Sequence, residues 1–543
     1  MLARRGYKNI SVYERLSQPP KPDSQEWGDP NRSYMLGIGG HGQVSLHTTR
    51  LSYMLGIGGR GQVSLARLGA FGRVMAYCAS AVGRMDWSPK SPDAVIRDFS
   101  ERKYKTRTIA RDRLVAALLE EYKTRTIARD RLIAALLKYK TRTIARDRLV
   151  AALLEEVQAR HADAVDVAFD VDCAAVAWGP SVTAPKGSSE QQGDGSNAQQ
   201  GRPVRLSMVP GPAAPSNVAP FELEADLVVG ADGVRSAVRA AMEADPAAVK
   251  AASGKALRAV RFPNTNERVY KTIPLRVPDD WRTDLNYSYL SKEGVTLEAL
   301  PNLECALVGV VLYRPGNEAV ESIKTKEQAR DFFDKAFPAL AGFISDEDTQ
   351  RFVEKPVSKL PSSRHSGPDM QRFVEKPVSK LPSFSYCGPV LHMGAAGVLL
   401  GDTIKTVKPY FGMGVNSAFE DICVLDDCLN DTGDNLQEAL PLFSKRRAAS
   451  AKALVELSRQ FDSEGIKQAV LFIGPIILDG IFSKAFPRAF KPNTIQLLQI
   501  PEAGSFVQVR RRKRLDRVLQ LGIIAGALRL ALAAARLALR LTL

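Results

Sequence analysis

Two stretches of this sequence place a carboxylate where a ligand could meet it. In ADLVVGADGVRSAVR the apolar run Leu227 to Val229 ends in Gly-Ala-Asp-Gly, and a helix bearing Arg235, Ser236 and Arg239 follows. In GVLLGDTIKTVKPYFGMGVNSAFEDICVLDDCL a second apolar run, Val398 to Leu400, ends at Gly401-Asp402. Pro409 then breaks the chain, and Gly412 and Gly414 open a helix whose apolar positions Val415, Ala418, Phe419, Ile422, Leu425 and Leu429 keep helical spacing. Glycine lets backbone approach a ligand, a carboxylate at a strand end accepts hydrogen bonds from hydroxyls, and a helix start offers free N–H groups and partial positive charge. The pattern suits a polyhydroxylated, anionic ligand, with Asp232 and Asp402 toward its hydroxyls. A purely structural role would also use the acids and glycines, as a cap and a core helix, but has no need of the Ser236 and Arg239 pair, so ligand binding is the reading favoured.

No other constellation points to side-chain chemistry. The six cysteines contain no Cys-x-x-Cys pair and the five histidines are scattered. Neither a zinc site nor a disulfide framework is expected, and the thiols are expected to be reduced in an intracellular protein. No residue is nominated as catalytic nucleophile or metal ligand. The N-terminus has neither the apolar core nor the cleavage site of a secretory signal.

The elements that must position these residues read as α/β. The chain has 543 residues, 45% hydrophobic and 25% charged, which excludes a mainly disordered or collagen-like protein. Leu2 to Arg5 read as the last turn of a helix, Gly6 as its C-cap and Lys8 to Arg15 as a strand. Residues 256–315 carry short β-type runs, Gln328 to Phe343 returns to helix, and Ala439 to Phe461 is helical. Residues 178–220, rich in Gly, Ser, Pro and Gln, read as a flexible insertion between strands.

Near-verbatim repeats interrupt this order. SYMLGIGGHGQVSL at Ser33 recurs at Ser52, differing only at His41 and Arg60; YKTRTIARDRL begins at Tyr104, Tyr122 and Tyr139; QRFVEKPVSKLPS begins at Gln350 and Gln371. Three unrelated units each copied intact point to recent duplication rather than a solenoid, and the extra copies are expected to have no function. Both copies of the first unit match G-x-G-x-x-G literally, at Gly37 and Gly56. Neither shows a clean strand–helix context with an acid some 20 residues on, so both read as decoys.

GADGVRSAVR and LLGD…PYFGMGVNSAFED resemble the two downstream flavin fingerprints of the single-component FAD-dependent aromatic monooxygenases, and the second is most similar to the kynurenine 3-monooxygenases of that family. The resemblance runs from Met1 to about Gln499. It implies a Rossmann-like FAD-binding domain interleaved with a β-sheet substrate domain, NAD(P)H as reductant, O₂ as co-substrate and a small aromatic substrate to be hydroxylated. It also implies FAD contacts at Glu14, Asp232, Gly233, Gly401, Asp402, Pro409, Gly412, Gly414 and Asn416. The family's FAD-reaching Arg-x-x-Leu-x-x-x-Leu element is matched by Arg111, Arg129 and Arg146 alike. Arg84, in VGRMDW, resembles an arginine that binds the substrate carboxylate; its alternative is a solvated surface arginine. The first glycine fingerprint belongs just before Met1 and is absent with its strand, and Thr403, Ile404 and Lys405 stand where the family usually has Ala-Ala-His.

The implied organisation is a first FAD-binding segment over 1–255, the substrate sheet over 256–385, a second FAD-binding segment over 386–460, C-terminal helices over 461–509 and a basic amphipathic tail over 510–543. The alternatives are a flavin-dependent reductase or dehydrogenase of an isoprenoid or lipid, and a truncated, non-catalytic flavin-fold remnant acting as a membrane-bound interaction protein. The net charge is +16, and from Ser505 to Leu543 nine Lys and Arg face one acid. Arg510 to Arg514 and Arg517 form a basic cluster, and Arg529, Arg536 and Arg540 fall in a narrow stripe on an otherwise apolar helix. The longest arginine-free run there, Val518 to Leu528, is short of the roughly 20 apolar residues that span a bilayer. An interfacial helix on an anionic membrane surface is expected. No nucleic-acid partner is, because the basic excess is localised and lacks interleaved aromatics.

Overall fold

The computed structural model describes residues 1–24, 33–35, 52–89, 91–98, 141–179, 204–215, 217–264, 267–278, 281–282, 284–300, 307–354, 383–408, 412–460, 470 and 473–542. Two strand pairs that carry candidate site residues are parallel. β1 (Ile10–Glu14) pairs with β6 (Val165–Phe169), and β7 (Val228–Gly230) pairs with β12 (Gly397–Leu399). Among the described residues these pairs belong to separate sheets. Ahead of β1, residues Ala3–Arg5 make one helical turn that stops at Gly6, whose φ of 91° accommodates the left-handed cap.

The strand–helix alternation is carried through by packing. Val398 and Leu399 are fully buried against Val238 and Met242 of α3 (Ala237–Ala244), Leu425 and Leu429 of α4 (Met413–Asp431), and Phe443 of α5 (Leu436–Arg459). The stretch 178–220 differs from expectation. Val204–Pro210 is a strand between Val171–Trp178 and Phe221–Ala225 in an antiparallel sheet, and its Val204, Leu206 and Met208 are buried. Their period-two spacing is a strand signal that the surrounding polar composition outweighed.

A six-stranded sheet makes the second layer, in the order β8 (Val269–Leu275), β11 (Leu307–Tyr313), β10 (Thr296–Leu300), β9 (Leu285–Leu290), β3 (Gly83–Ser88), β4 (Ser91–Asp98). It takes two strands from the 1–255 stretch and so is not confined to 256–385. Tyr287 and Tyr313 on one face are buried with Phe333, Phe337 and Phe352 of the helices between 326 and 354.

Both copies of the first unit contribute described strands: Ser33–Met35 of the first pairs in parallel with Ser52–Met54 of the second. The second G-x-G-x-x-G copy forms β2 (Ser52–Ile57) and α1 (Gly59–Arg67), and the copy at Tyr139 forms β5 (Thr141–Ala145) and α2 (Arg146–His161), with β5 antiparallel to β2. Ile57, Leu65, Ile144, Leu149, Ala152 and Phe419 close around one another as a core. The C-terminal region ends in α6 (Gly474–Ala485) and one long helix, α7 (Phe506–Thr542), which runs through the expected boundary at 510.

Candidate functional site

Gly230 and Leu399 are register partners, so β7 and β12 end together and their following turns lie side by side although the chain between them is long. The Gly230 carbonyl accepts from Leu400 N–H at 2.9 Å and from Thr403 Oγ1 at 3.0 Å. Arg239 staples the second turn to the first: it is 8% exposed, and its Nη1 donates to the Thr403 carbonyl at 3.0 Å while Nη2 donates to that of Val234. Ser236 Oγ caps α3 by accepting from Arg239 N–H at 2.9 Å, and Asp232 Oδ2 accepts from Ala237 N–H at 2.6 Å. The Ser236 and Arg239 pair therefore does have structural work, contrary to the sequence argument, and that work joins the two turns. Asp232 is exposed, and Gly233 takes φ +77° in the same turn.

The second turn opens with Gly401 at φ +65°, whose N–H donates to Asp421 Oδ2 at 2.9 Å. Gly412, at φ +60°, is the N-cap of α4 and has no side chain with which to cap the helix. A Cβ added at Gly414 would meet nothing within 4 Å, so there is open space beside the first turn of α4. Uncapped amides facing room suit an anionic ring system. Gly412 and Gly414 thus fit the flavin that the resemblance implies, and Gly401 and Asp402 stand in the turn that follows β12.

Asn416 is placed differently. It is 1% exposed; its Nδ2 donates to the carbonyls of Gly56 at 2.9 Å and Gly412 at 2.5 Å, and its Oδ1 accepts from Gly58 N–H at 3.0 Å. It ties α4 to the glycine turn between β2 and α1. That turn does have the strand–helix context which its sequence did not reveal. Its concavity is filled from within, since a Cβ at Gly58 would collide with Gln499 Oε1 and one at Gly61 with Asn416 Oδ1. Side chains of α4 and of the C-terminal region thus stand against this turn.

Glu14 ends β1 with its carboxylate accepting from Leu16 N–H at 3.0 Å. Arg146 is the first residue of α2. Arg111, Arg129 and Pro409 lie outside the described residues. Arg84 stands on β3, opposite Asn286 of β9. It is neither free nor merely solvated: its guanidinium is paired with Asp86 and, at 3.3 Å, with Glu298 Oε1, which also accepts from Ser288 Oγ at 2.7 Å. Burial pushes the Glu298 carboxyl above the usual range, opposed by Arg84 and Ser288.

Sequence reasoning missed a buried charge cluster under these turns. Lys405 and Arg447 hold Asp421, Arg447 and Arg60 hold Glu420, and all but the partly covered Glu420 are 3% exposed or less. Arg60 also donates to the carbonyls of Leu498 and Gly504 at 2.7 Å, and both arginines lie over Phe506, the first residue of α7, at 4.6 and 5.4 Å from the ring centre. Its members lie far apart in the chain, so no local pattern signals it.

No family model matches the chain. It is 24% identical over 332 residues to kynurenine 3-monooxygenase of Caenorhabditis elegans, covering 59% of this chain and 62% of that protein. It is 26% identical over 245 residues to the Sus scrofa kynurenine 3-monooxygenase, 44% of each, and 27% identical over 287 residues to violacein synthase of Chromobacterium violaceum, 51% of this chain and 58% of that one. The chain thus spans about half the length of these curated relatives. Solved structures similar to it include the tetrameric form of 2-methyl-3-hydroxypyridine-5-carboxylic acid oxygenase, at 14% identity and TM-score 0.48 over 84% of this chain and 91% of that one. PqsL, a probable FAD-dependent monooxygenase from Pseudomonas aeruginosa, matches at 15% identity and TM-score 0.46 over 86% and 99%.

Proposed function

We propose that this chain is a flavoprotein monooxygenase that uses NAD(P)H and O₂ to hydroxylate an aromatic amino-acid-like substrate of the kynurenine type. The observation that carries the reading is the adjacency of the Gly230–Gly233 and Gly401–Thr403 turns on neighbouring parallel strands, beside the uncapped start of α4. The similarity to kynurenine 3-monooxygenases supports the same reading.

When bound, FAD supplies the redox and oxygen-activating chemistry that side chains lack. The role of the chain is to hold and orient it. Asp402 and Asp232 hold its hydroxyls, Gly233, Gly401, Gly412 and Gly414 let it approach backbone, and the α4 amides stabilise negative charge on its ring. Glu14 and an arginine of the Arg-x-x-Leu-x-x-x-Leu element, Arg146 or Arg111, reach its other end, Pro409 contacts it, and Asn416 fixes the start of α4. Arg84, on the second sheet, meets the substrate carboxylate in exchange for Glu298.

α7 is proposed to bring the protein to an anionic membrane surface. Phe506–Arg536 is long and apolar enough to cross a bilayer, with mean hydropathy 1.9 in its most apolar stretch, which is almost wholly unburied. A yellow purified protein that consumes O₂ and NAD(P)H on addition of kynurenine, with a hydroxylated product by mass spectrometry, is the expected result. A colourless protein that takes up no added FAD would end the proposal.

A further inference from the structure

The cluster beneath the Gly401 turn has a feature that a generic salt-bridge network lacks. Gly401 N–H and Lys405 Nζ both end on one atom, Asp421 Oδ2, at 2.9 and 2.5 Å, while Arg447 Nε holds Oδ1. The segment Gly401–Lys405 is therefore clipped at both ends to a single oxygen, and the carboxylate that supplies it is fixed from behind. Asp421 is 0% exposed and Lys405 1%. Between the clips stands Asp402, and Thr403 and Leu400 reach from the same stretch to Gly230 of the neighbouring turn.

Gly401, at φ +65°, directs its N–H to the buried Asp421 carboxylate. A buried carboxylate stripped of either cation cannot relocate, so the pair behaves as a rigid pin. Arg447 is shared with Glu420, to which its Nη1 donates at 3.0 Å, so the pin is continuous with α5 and, through Arg60, with the start of α7.

We propose that Asp421, paired with Lys405, is the positioning residue that sets the geometry of the Gly401–Asp402 turn and through it the affinity for FAD. The role of that turn rests on the function proposed above; the pinning itself does not.

The experiment compares the full chain with Asp421→Asn, Lys405→Met and the double variant. The Asp421→Asn change keeps an acceptor for Gly401 but loses the charge, whereas Lys405→Met releases only the far clip and leaves Asp421 held by Arg447. Hydrogen exchange of the peptide covering 398–408, measured without flavin, tests the pin alone. Exchange there should quicken at least tenfold in Lys405→Met while peptides of β8 to β11 stay unchanged. Unchanged exchange at 398–408, or equal quickening everywhere, would overturn the proposal. With FAD added, Lys405→Met should bind at least tenfold more weakly and show an altered visible circular dichroism band, with the double variant closer to Lys405→Met than to Asp421→Asn in melting temperature. Parental affinity and band shape in Lys405→Met, despite quickened exchange, would overturn the link to the cofactor. Failure of the parent to bind FAD would instead sink the function proposed for the turn while leaving the pin to stand or fall on exchange.

Discussion

Asp402 and Arg84 were both legible from residue type and neighbours, but only their surroundings reveal what each can do. Asp402 stands in the turn that follows β12, and under the proposed function its carboxylate is the acceptor for flavin hydroxyls. Asp402→Ala should weaken FAD binding by about 2 kcal/mol, or roughly 30-fold, read as flavin lost on gel filtration; full retention of the visible spectrum would remove Asp402 from the site. Arg84 already serves Asp86 and Glu298 and is 39% exposed, so a substrate carboxylate gains less from it than from an unpartnered buried arginine. Arg84→Ala should lower kcat/KM for kynurenine by about 1–2 kcal/mol, and an unchanged value would return the substrate to unknown. Glu298 adds a pH dependence whose sign follows from its raised carboxyl. The folded state holds the proton more tightly than the unfolded state, so stability gained from Glu298 grows as pH falls through the folded value toward the ordinary 4.5 and is constant below it. The difference in melting temperature between Glu298→Gln and the parent should therefore change between pH 7.5 and pH 5; parallel curves would show that Glu298 does not titrate in this window.

The glycine fingerprints and the alternation of apolar runs carried the strands β7 and β12, the helix α4 and the sheet of β8 to β11, because period-two and period-3.6 patterns are local. What stayed hidden was non-local. Nothing in GIGGRGQ indicates that Arg60 will reach Glu420, Leu498 and Gly504, and nothing in the thrice-repeated TRTIARDRL says which copy will pair with β2. The buried guanidinium fastens the Gly56-to-Gly61 turn to three distant partners. An imidazole has two nitrogens and a shorter reach, so Arg60→His should strand Glu420 with Arg447 alone and open the contact over Phe506. A cost of about 3 kcal/mol is expected, read as a melting temperature lower by roughly 3 °C for a chain of this length; a change under about 0.5 °C would show that the arginine does not hold the turn. The copy at Tyr122 gives the opposite expectation. Since the copy at Tyr139 supplies both β5 and α2, deleting Tyr122 to Lys138 should leave the melting temperature unchanged or raised, and a fall of more than about 10 °C would place that copy in the core.

On the scale of the whole molecule, the basic excess divides into charges spent inside and charges left outside. Arg510 is paired with Glu456, Lys513 with Asp479 and Asp516, Arg512 with Asp516, and Arg517 with Asp479. Phe506, Val509, Asp516 and Gln520 are buried. The cluster read from sequence as a lipid-facing patch is to a large extent a dock that fastens α7 to α5 and α6, which no count of charges along the tail could reveal because most of its acids lie far away in the chain. The outward face is apolar: Leu515, Val518, Leu519, Leu521, Ile523, Leu528, Leu530 and Leu532 are exposed, as are Ile477 and Ile481 of α6. Arg511, Arg514, Arg529 and Arg536 are exposed along this same outward face, and a surface that mixes arginine with apolar residues fits an anionic interface, each arginine adding about 1 kcal/mol near the headgroups. The docked and free stretches of α7 can be separated by two cuts. A chain ending at Gln520 keeps every residue of the dock, so it should retain the parent's melting temperature and flavin while losing flotation on anionic liposomes. A chain ending at Gln508 removes the partners of Asp479 and should lose stability as well, so its failure to float would say nothing of lipid. Equal flotation of the parent and the chain ending at Gln520 would remove the membrane role from α7, and resistance of the parent to alkaline carbonate would mark the helix as spanning the bilayer rather than lying on it.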